Sequence, residues 1–201
     1  MKRISFVIAV YRNEDSIEAT YQELKTLFDQ ELKDYQYEFI FVDDGSDDHS
    51  LERALSLRRL DPQVKIVSFS RNFGQVAAMI AGIKQATGDA IINKAADLQE
   101  PAPASVAMVR EWEKGAHVVI GRRLAREDPW FVAAMGDLYW RILKMSNSKL
   151  PKGSDHFLLD RKAADVFNQI DESDRFVPAD ILWLGFTPKE IPYKRVERRS
   201  L

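Results

Sequence analysis

The sequence predicts an α/β protein built on a doubly wound, mostly parallel sheet with helices on both faces. Three observations predict it. Short β-branched apolar runs alternate with stretches of helical periodicity from the start of the chain to about residue 121. The connections between them are short. Four successive apolar runs also empty into polar loops, as strands do at the carboxyl edge of an open α/β sheet, where such sheets bind their ligands.

Residues 4–10 are the first buried strand, and residues 11–16 the loop above it. A helix follows from about 16 to 28, with Ile17, Tyr21, Leu24, Leu27 and Phe28 at helical spacing. Residues 37–42 form the second strand, which ends in a turn-rich acidic loop at 43–48. Leu51, Ala54, Leu55 and Leu57 mark the second helix. Residues 64–69 are the third strand and 70–74 its loop. The apolar stretch 75–86 is a buried helix stopped by Gly88 acting as a C-cap. Ala90, Ile91 and Ile92 enter a fourth polar loop, 93–101, which a proline closes. Residues 106–114 are helical and 117–121 a fifth strand. After Arg122 the alternation breaks. Residues 130–145 read as a long amphipathic helix, 155–160 as a strand and 161–170 as a helix. Residues 183–186 read as an aromatic loop, and 189–193 as an edge strand because Pro192 is unwelcome inside a sheet.

Composition excludes several classes. The chain has 201 residues, 45% hydrophobic and 30% charged, with a net charge of −2. Nothing there asks for nucleic acid as a partner. With no cysteine, thiol catalysis, disulfides and Cys-ligated zinc are excluded. His49, His117 and His156 are too widely spaced for a His-rich metal site. No apolar run approaches 18 residues. Neither a G-x-G-x-x-G nor a G-x-x-x-x-G-K-[ST] motif occurs, which disfavours dinucleotide dehydrogenases and P-loop NTPases.

The chemistry therefore rests on the loops. Tyr11-Arg12-Asn13-Glu14, Asp43-Asp44-Gly45-Ser46, Arg71-Asn72-Phe73-Gly74 and Asp97-Leu98-Gln99 end four strands in turn. Each alone reads as a solvated loop, and Asp44-Gly45 as a plain turn. On one sheet edge they make a polar cleft with fixed carboxylates. Asp97 and Gln99 carry oxygens suited to a hard cation.

Together these stretches resemble the family 2 glycosyltransferases with their GT-A nucleotide-sugar fold. Val7 to Glu14 looks like that family's opening strand and loop, and Val42 to Asp48 like its acidic second loop. Ser70 to Gly74, Ala96 to Pro101 and Gly121 to Arg126 match the next three. The branch most similar moves sugars to polyprenyl phosphates or envelope glycans. The resemblance implies one catalytic domain over residues 1–201, with a nucleotide-sugar half at about 1–121 and an acceptor half at about 122–201. It implies inversion at the anomeric carbon, a UDP- or GDP-sugar donor, and a polyprenyl phosphate or glycan acceptor. Val10, Tyr11, Asn13 and Glu14 are expected to line the nucleoside pocket, and Asp43 to accept a hydrogen bond from the base. Asp44, Arg71, Asn72 and Gly74 are expected at the donor as well. Asp97 with Gln99 is expected to meet Mg²⁺ or Mn²⁺ on the diphosphate. Arg198 would neutralise leaving-group charge if the tail folds back. Arg123 and Arg126 are divided evenly between phosphate binding and a solvated loop. Asp155 is the candidate base for a hydroxyl acceptor.

Two departures stand out. Ala95 replaces the first carboxylate of the family's Asp-x-Asp, and Lys94 precedes it. His156 and Phe157 stand where the family more often has Phe and Arg, so His156 is either a wall residue or a substitute cation. The family branch continues past this point into Gly-x-Ser-Lys and membrane helices. Residues 1–201 are accordingly expected to act on the cytoplasmic face of the cytoplasmic membrane, held there by such a segment. The oligomeric state stays open. A catalytically weak or inactive nucleotide-sugar binder is the rival reading, motivated by Ala95. A nucleotidyltransferase would want a Gly- and Lys-rich first loop, which Tyr11-Arg12-Asn13-Glu14 is not.

Overall fold

The computed structural model describes residues 1–124, 156–172 and 175–196. In chain order the elements are β1 (Arg3–Val10), α1 (Ile17–Gln30), β2 (Gln36–Asp43), α2 (Ser50–Leu60), β3 (Val64–Ser68), α3 (Gln75–Gln85) and β4 (Ala90–Ala95). There follow α4 (Ala102–Glu113), β5 (Val118–Arg123), β6 (Phe157–Asp160), α5 (Arg161–Phe167), α6 (Val177–Trp183) and β7 (Lys189–Tyr193).

All seven strands join one sheet in the order β3-β2-β1-β4-β6-β5-β7. From β1 the chain steps outward through β2 to β3, then crosses back to place β4 on the other side of β1. The winding direction therefore reverses between β1 and β4. The helices leaving the two strands diverge there, and a crevice opens above their carboxyl ends.

The alternation of side chains along β1 divides the core. Ile4, Phe6, Ile8 and Val10 face α1, α2 and α4, whose Leu24, Leu57 and Met108 join that cluster. Val7 faces the other way, with Ala78, Met79 and Ile83 of α3 and Ala163, Phe167 and Ile181 of α5 and α6. β1, β2 and β4 are thus buried along most of their length on both faces, which is why they read as continuous apolar runs.

The sequence expectations and the structure differ in four places. Residues 155–160 were expected as a strand without a direction, and the observed strand is Phe157–Asp160. β6 runs antiparallel between β4 and β5 and separates them. α4 begins at Ala102 rather than 106, because Pro103 in its first turn is compatible with a helix start. α6 was not anticipated. It occupies residues just before the expected aromatic loop, again with a proline in its first turn. Gly88 is not a left-handed cap. α3 ends at Gln85 with Ala86 extended, and Gly88 is required instead because a Cβ there would lie 2.8 Å from the Ser5 backbone nitrogen. β7 is the outermost strand, parallel to β5, where Pro192 is tolerated. The long helix expected over 130–145 lies outside the described residues. Among the described residues no helix is long and apolar enough to cross a membrane.

Candidate functional site

A cleft of about 320 Å³ opens at the reversal point. Ala9 and Val10 form its floor from β1, with Ala95 at the end of β4 and Ala96 and Asp97 from the loop that follows it. Tyr11 and Asn13, Asp44, and Asn72 with Gly74 and Gln75 supply the walls, and Arg195 closes one side. Ala9 pairs with Ala95 across the two strands, so small side chains leave the space open.

The loops are locked to one another before any ligand binds. Arg12 adopts φ +52°, uncommon outside glycine. Its guanidinium donates through both arms to Asp47, each at 2.7 Å. That bond holds the Asp47 carboxyl below its ordinary range. Asn13 accepts from the Tyr11 amide at 2.9 Å and donates its own amide to Ser50 at 2.8 Å. Glu14 accepts from the His49 amide at 2.8 Å. Glu14 is thus a clamp between two loops and is not among the cleft residues.

Asp43 and Asp44 divide two tasks. Asp44 accepts from the amides of Phe73 and Gly74 at 2.7 and 2.9 Å, fastening the β3 loop to the β2 loop. The approach is close enough that a Cβ on Gly45, at φ +68°, would lie 2.4 Å from the Arg71 carbonyl carbon. Asp43 is 2% exposed. One of its oxygens accepts from the Ser46 amide at 3.3 Å, and the other, Oδ1, is buried without a hydrogen-bond partner among the described residues. A buried acceptor left open is costly unless something fills it.

The β4 loop is held from below. The Ala96 carbonyl accepts from Ser16 at 2.6 Å and from Thr20 at 3.3 Å. Lys94 shares its strand face with Ile8 and points away from the cleft, toward α1 and α4. It is 1% exposed, ion-paired with Glu23 at 3.2 Å, and donates to the Glu100 carbonyl. The Glu100 carboxylate accepts from the Ala95 amide at 2.8 Å. His156 completes this network, fully buried, with Nδ1 2.7 Å from the Asn93 carbonyl and Nε2 3.3 Å from Ser105. Burial pushes the His156 pKa down, and Lys94 adds to this against the pull of Glu100. The neutral ring donates from Nδ1 and accepts at Nε2. His156 is therefore a wall residue and not the substitute cation of the alternative expectation.

At the loop's tip, Leu98 adopts φ +59° and Asp97 turns into the cleft. Asp97 Oδ1 accepts from the Gln99 amide at 3.0 Å, and Oδ2 from Arg195 at 3.2 Å. The chain after β7 folds back here, donating the Val196 amide to the Gln99 carbonyl at 3.0 Å. Arg195 was not singled out for the cleft in the sequence, where Arg198 carried that role. Nothing local marks it, since its partner Asp97 is 98 residues away. Arg71 is exposed, stacked 4.0 Å over the Phe73 ring, and not on the cleft. Gln99 and Arg123 also lie outside the cleft lining. Arg126, Asp155 and Arg198 lie outside the described residues.

A free-standing metal site does not fit this donor set. Ala95 offers no oxygen from its side chain, and no three His, Asp or Glu side chains among the described residues group to hold a cation. The residues present would fit a divalent cation only if an anionic ligand supplied most of its oxygens, with Asp97 as the carboxylate that would help to hold it.

The sheet, its reversal point and the cleft above it define a GT-A fold. The family model described as "Glycosyl transferase family 2" matches residues 5–167, and the chain belongs to that family. It is 38% identical over 197 residues to the uncharacterized glycosyltransferase YkcC of Bacillus subtilis, covering 96% of this chain and 60% of that protein. It is 32% identical over 199 residues to a prophage bactoprenol glucosyl transferase homolog of Escherichia coli, covering 98% of this chain and 64% of that protein. The chain thus spans less than two thirds of the length of these curated relatives. Among solved structures, a mannosyltransferase from Pyrobaculum calidifontis in complex with GDP-Man and Mn²⁺ superposes with a TM-score of 0.66 at 16% identity, over 98% of this chain and 57% of that one. The glucosyl-3-phosphoglycerate synthase of Mycobacterium tuberculosis in complex with Mn²⁺ and UDP-Glc also reaches 0.66, at 19% identity, over 100% of this chain and 72% of that one. At such identities these two speak for the fold alone.

Proposed function

We propose that this chain is the catalytic part of an inverting glycosyltransferase that takes a sugar from a UDP- or GDP-sugar and passes it to a polyprenyl phosphate. The observation that carries the reading is the cleft at the β1/β4 reversal together with Asp43, which lies outside the cleft lining but pairs across the strands with the cleft residue Val10 and keeps one buried carboxylate oxygen without a partner among the described residues. An ionised carboxylate only accepts, so it selects a base bearing an N–H, as uracil and guanine do. The name of the bactoprenol relative supports the lipid acceptor, and membership of glycosyl transferase family 2 supports an activated-sugar donor.

In this reading residues 1–121 hold the donor and 122–201 shape the acceptor half. Val10, Tyr11 and Asn13 flank the nucleoside. Asp97 would hold a Mg²⁺ or Mn²⁺ carried in by the diphosphate, and that cation would supply Lewis-acid stabilisation of leaving-group charge. Arg195, which lines the cleft beside Asp97, would set fixed positive charge against the same leaving group, the role the sequence suggested for Arg198. An acceptor phosphate oxygen forms a bond to the anomeric carbon from the face opposite the nucleotide. The bond from that carbon to the diphosphate breaks, and its electron pair stays on the departing β-phosphate oxygen. A phosphate monoester is already largely dianionic at neutral pH, its second pKa being about 6, so no base is needed. A hydroxyl acceptor would need one, and Asp155 is the residue proposed for that case. A lipid acceptor places the reaction at a membrane surface, on the cytoplasmic side where activated sugars are made.

Ala95 favours one competing reading, a binder of nucleotide-sugars without turnover. The test is a thermal-shift panel of UDP-, GDP- and dTDP-sugars with and without Mg²⁺ or Mn²⁺, followed by a transfer assay to farnesyl phosphate using the full-length protein. The enzyme reading expects one donor to stabilise the fold, more so with metal, and to be consumed. Metal-independent binding without consumption would leave the binder. No stabilisation by any nucleotide-sugar would refute both.

A further inference from the structure

A second pocket, of about 180 Å³, lies beside the α3 N-terminus. Gln75 lines both this pocket and the nucleotide cleft, so the two meet at the first residue of α3. Val76 and Met79 of α3, Asn93 of β4, and Arg175 with Phe176 ahead of α6 form its other walls.

Arg175 is the unusual member. Its side chain is 4% exposed. Nε donates to Asp180 at 2.6 Å, Nη1 donates to the Ile170 carbonyl at 2.9 Å, and the guanidinium lies 4.6 Å from the centroid of the Phe167 ring. These contacts account for an arginine that ties residue 170 to α6. They do not account for Nη2, which is buried with no hydrogen-bond partner among the described residues. A buried guanidinium N–H left unpaired is destabilising, and an anion is what relieves it. The helix beside it adds to the same field. α3 has 11 residues, Gly74 at its N-cap offers no side-chain acceptor, and its first turn holds no acidic residue. Its leading amides and the positive end of its dipole therefore remain available to an anion. The lip of the pocket is apolar, with Val76 40% and Phe176 42% exposed.

We propose that this pocket receives the phosphate of the acceptor, held by Arg175 Nη2 and the α3 N-terminus, with its hydrocarbon chain leaving over Val76 and Phe176. The proposal rests on the glycosyl-transfer reading and deepens it by assigning the acceptor's place. A polar floor under an apolar lip suits a phosphate monoester with a hydrocarbon tail better than a bare glycan hydroxyl. The shared residue Gln75 puts that phosphate next to the donor cleft, where the attacking oxygen must be.

The test uses the full-length protein, with farnesyl phosphate and inorganic phosphate as separate probes and the best nucleotide as the control. Arg175→Lys keeps the charge and loses the forked donor set. It is expected to raise the KM for farnesyl phosphate about tenfold or more, while nucleotide affinity stays within about twofold. Phe176→Asp, at the exposed lip, is expected to weaken farnesyl phosphate and leave inorganic phosphate unchanged. Gln75→Ala serves as a second floor variant should Arg175→Lys lower the melting temperature. Unchanged farnesyl phosphate KM in a folded Arg175→Lys protein, or in Gln75→Ala where the first is unfolded, would overturn the assignment. So would equal affinity for farnesyl and inorganic phosphate, which would make the site one for free phosphate. Loss of nucleotide binding in the wild type would instead strike the underlying reading.

Discussion

Asp44 offers the sharpest test of how this cleft is built. Asp44→Ala removes an acceptor that is 3% exposed and takes two backbone amides, from Phe73 at 2.7 Å and Gly74 at 2.9 Å. A hydrogen bond to a charged group contributes about 1.5–3 kcal/mol, so two set an upper range of about 3–6 kcal/mol. Phe73 itself is 50% exposed, and water can reach its amide once the carboxylate is gone. The expected loss is therefore about 2–4 kcal/mol. Asp44→Asn keeps one acceptor and turns the other into a donor facing a donor, so it should recover only part of that loss. Urea unfolding at pH 7 measures both, with an unchanged m-value as the sign that the same structure unfolds. Because Asn72 and Gly74 line the cleft, nucleotide affinity should fall alongside stability. An Asp44→Ala protein within about 1 kcal/mol of wild type, or an Asp44→Asn protein equal to it, would show that the clamp contributes little and refute the reasoning.

Asp43→Ala should weaken binding of the preferred nucleotide by about 1–3 kcal/mol in a calorimetric titration, since a base donor is then left without its acceptor; unchanged affinity would make Asp43 a turn residue only. Ala95→Asp should raise Mn²⁺ affinity in the absence of nucleotide by restoring a second carboxylate, and Asp97→Asn should abolish the metal dependence of nucleotide binding, both read from titrations at several Mn²⁺ concentrations. Gly45→Ala should cost at least about 2 kcal/mol in thermal or urea unfolding, because a positive φ and a Cβ 2.4 Å from backbone offer no relief. The folded-state pKa of His156 lies below its ordinary 6.5, so the unfolded chain binds the extra proton; stability is complete above about pH 6.5 and falls below it by up to about 1.4 kcal/mol per pH unit. His156→Gln should flatten that acid slope in unfolding curves between pH 5 and 8, and an unaltered slope would assign it to other groups.

Much of this architecture is written in short stretches of the chain. Periodicity within ten or so residues separates strand from helix, and it places β1 to β4 and α1 to α3 within a few residues of where they lie. The acidic loop at 43–48 declares itself through its own composition, and Gly45 through the turn it must make. Alternation of strands and helices was enough to place these polar loops on one edge of the sheet. Tertiary structure decided what no local pattern can encode. An apolar run such as 157–159 reads the same in either direction, so only its pairing with β4 and β5 made β6 antiparallel. Lys94 and Ala95 are adjacent in sequence, yet the period-two pleat sends one into a buried ion pair with Glu23 and the other to the cleft floor. Asp97 meets Arg195, and Gln75 and Arg175 line one pocket, only because distant segments converge at the β1/β4 reversal and beside α3. Hydrogen bonds and ion pairs form between groups close in space, whereas sequence patterns report neighbours along the chain. That is why the loops of the cleft were legible in the sequence, while the side chains that close it depended on the fold.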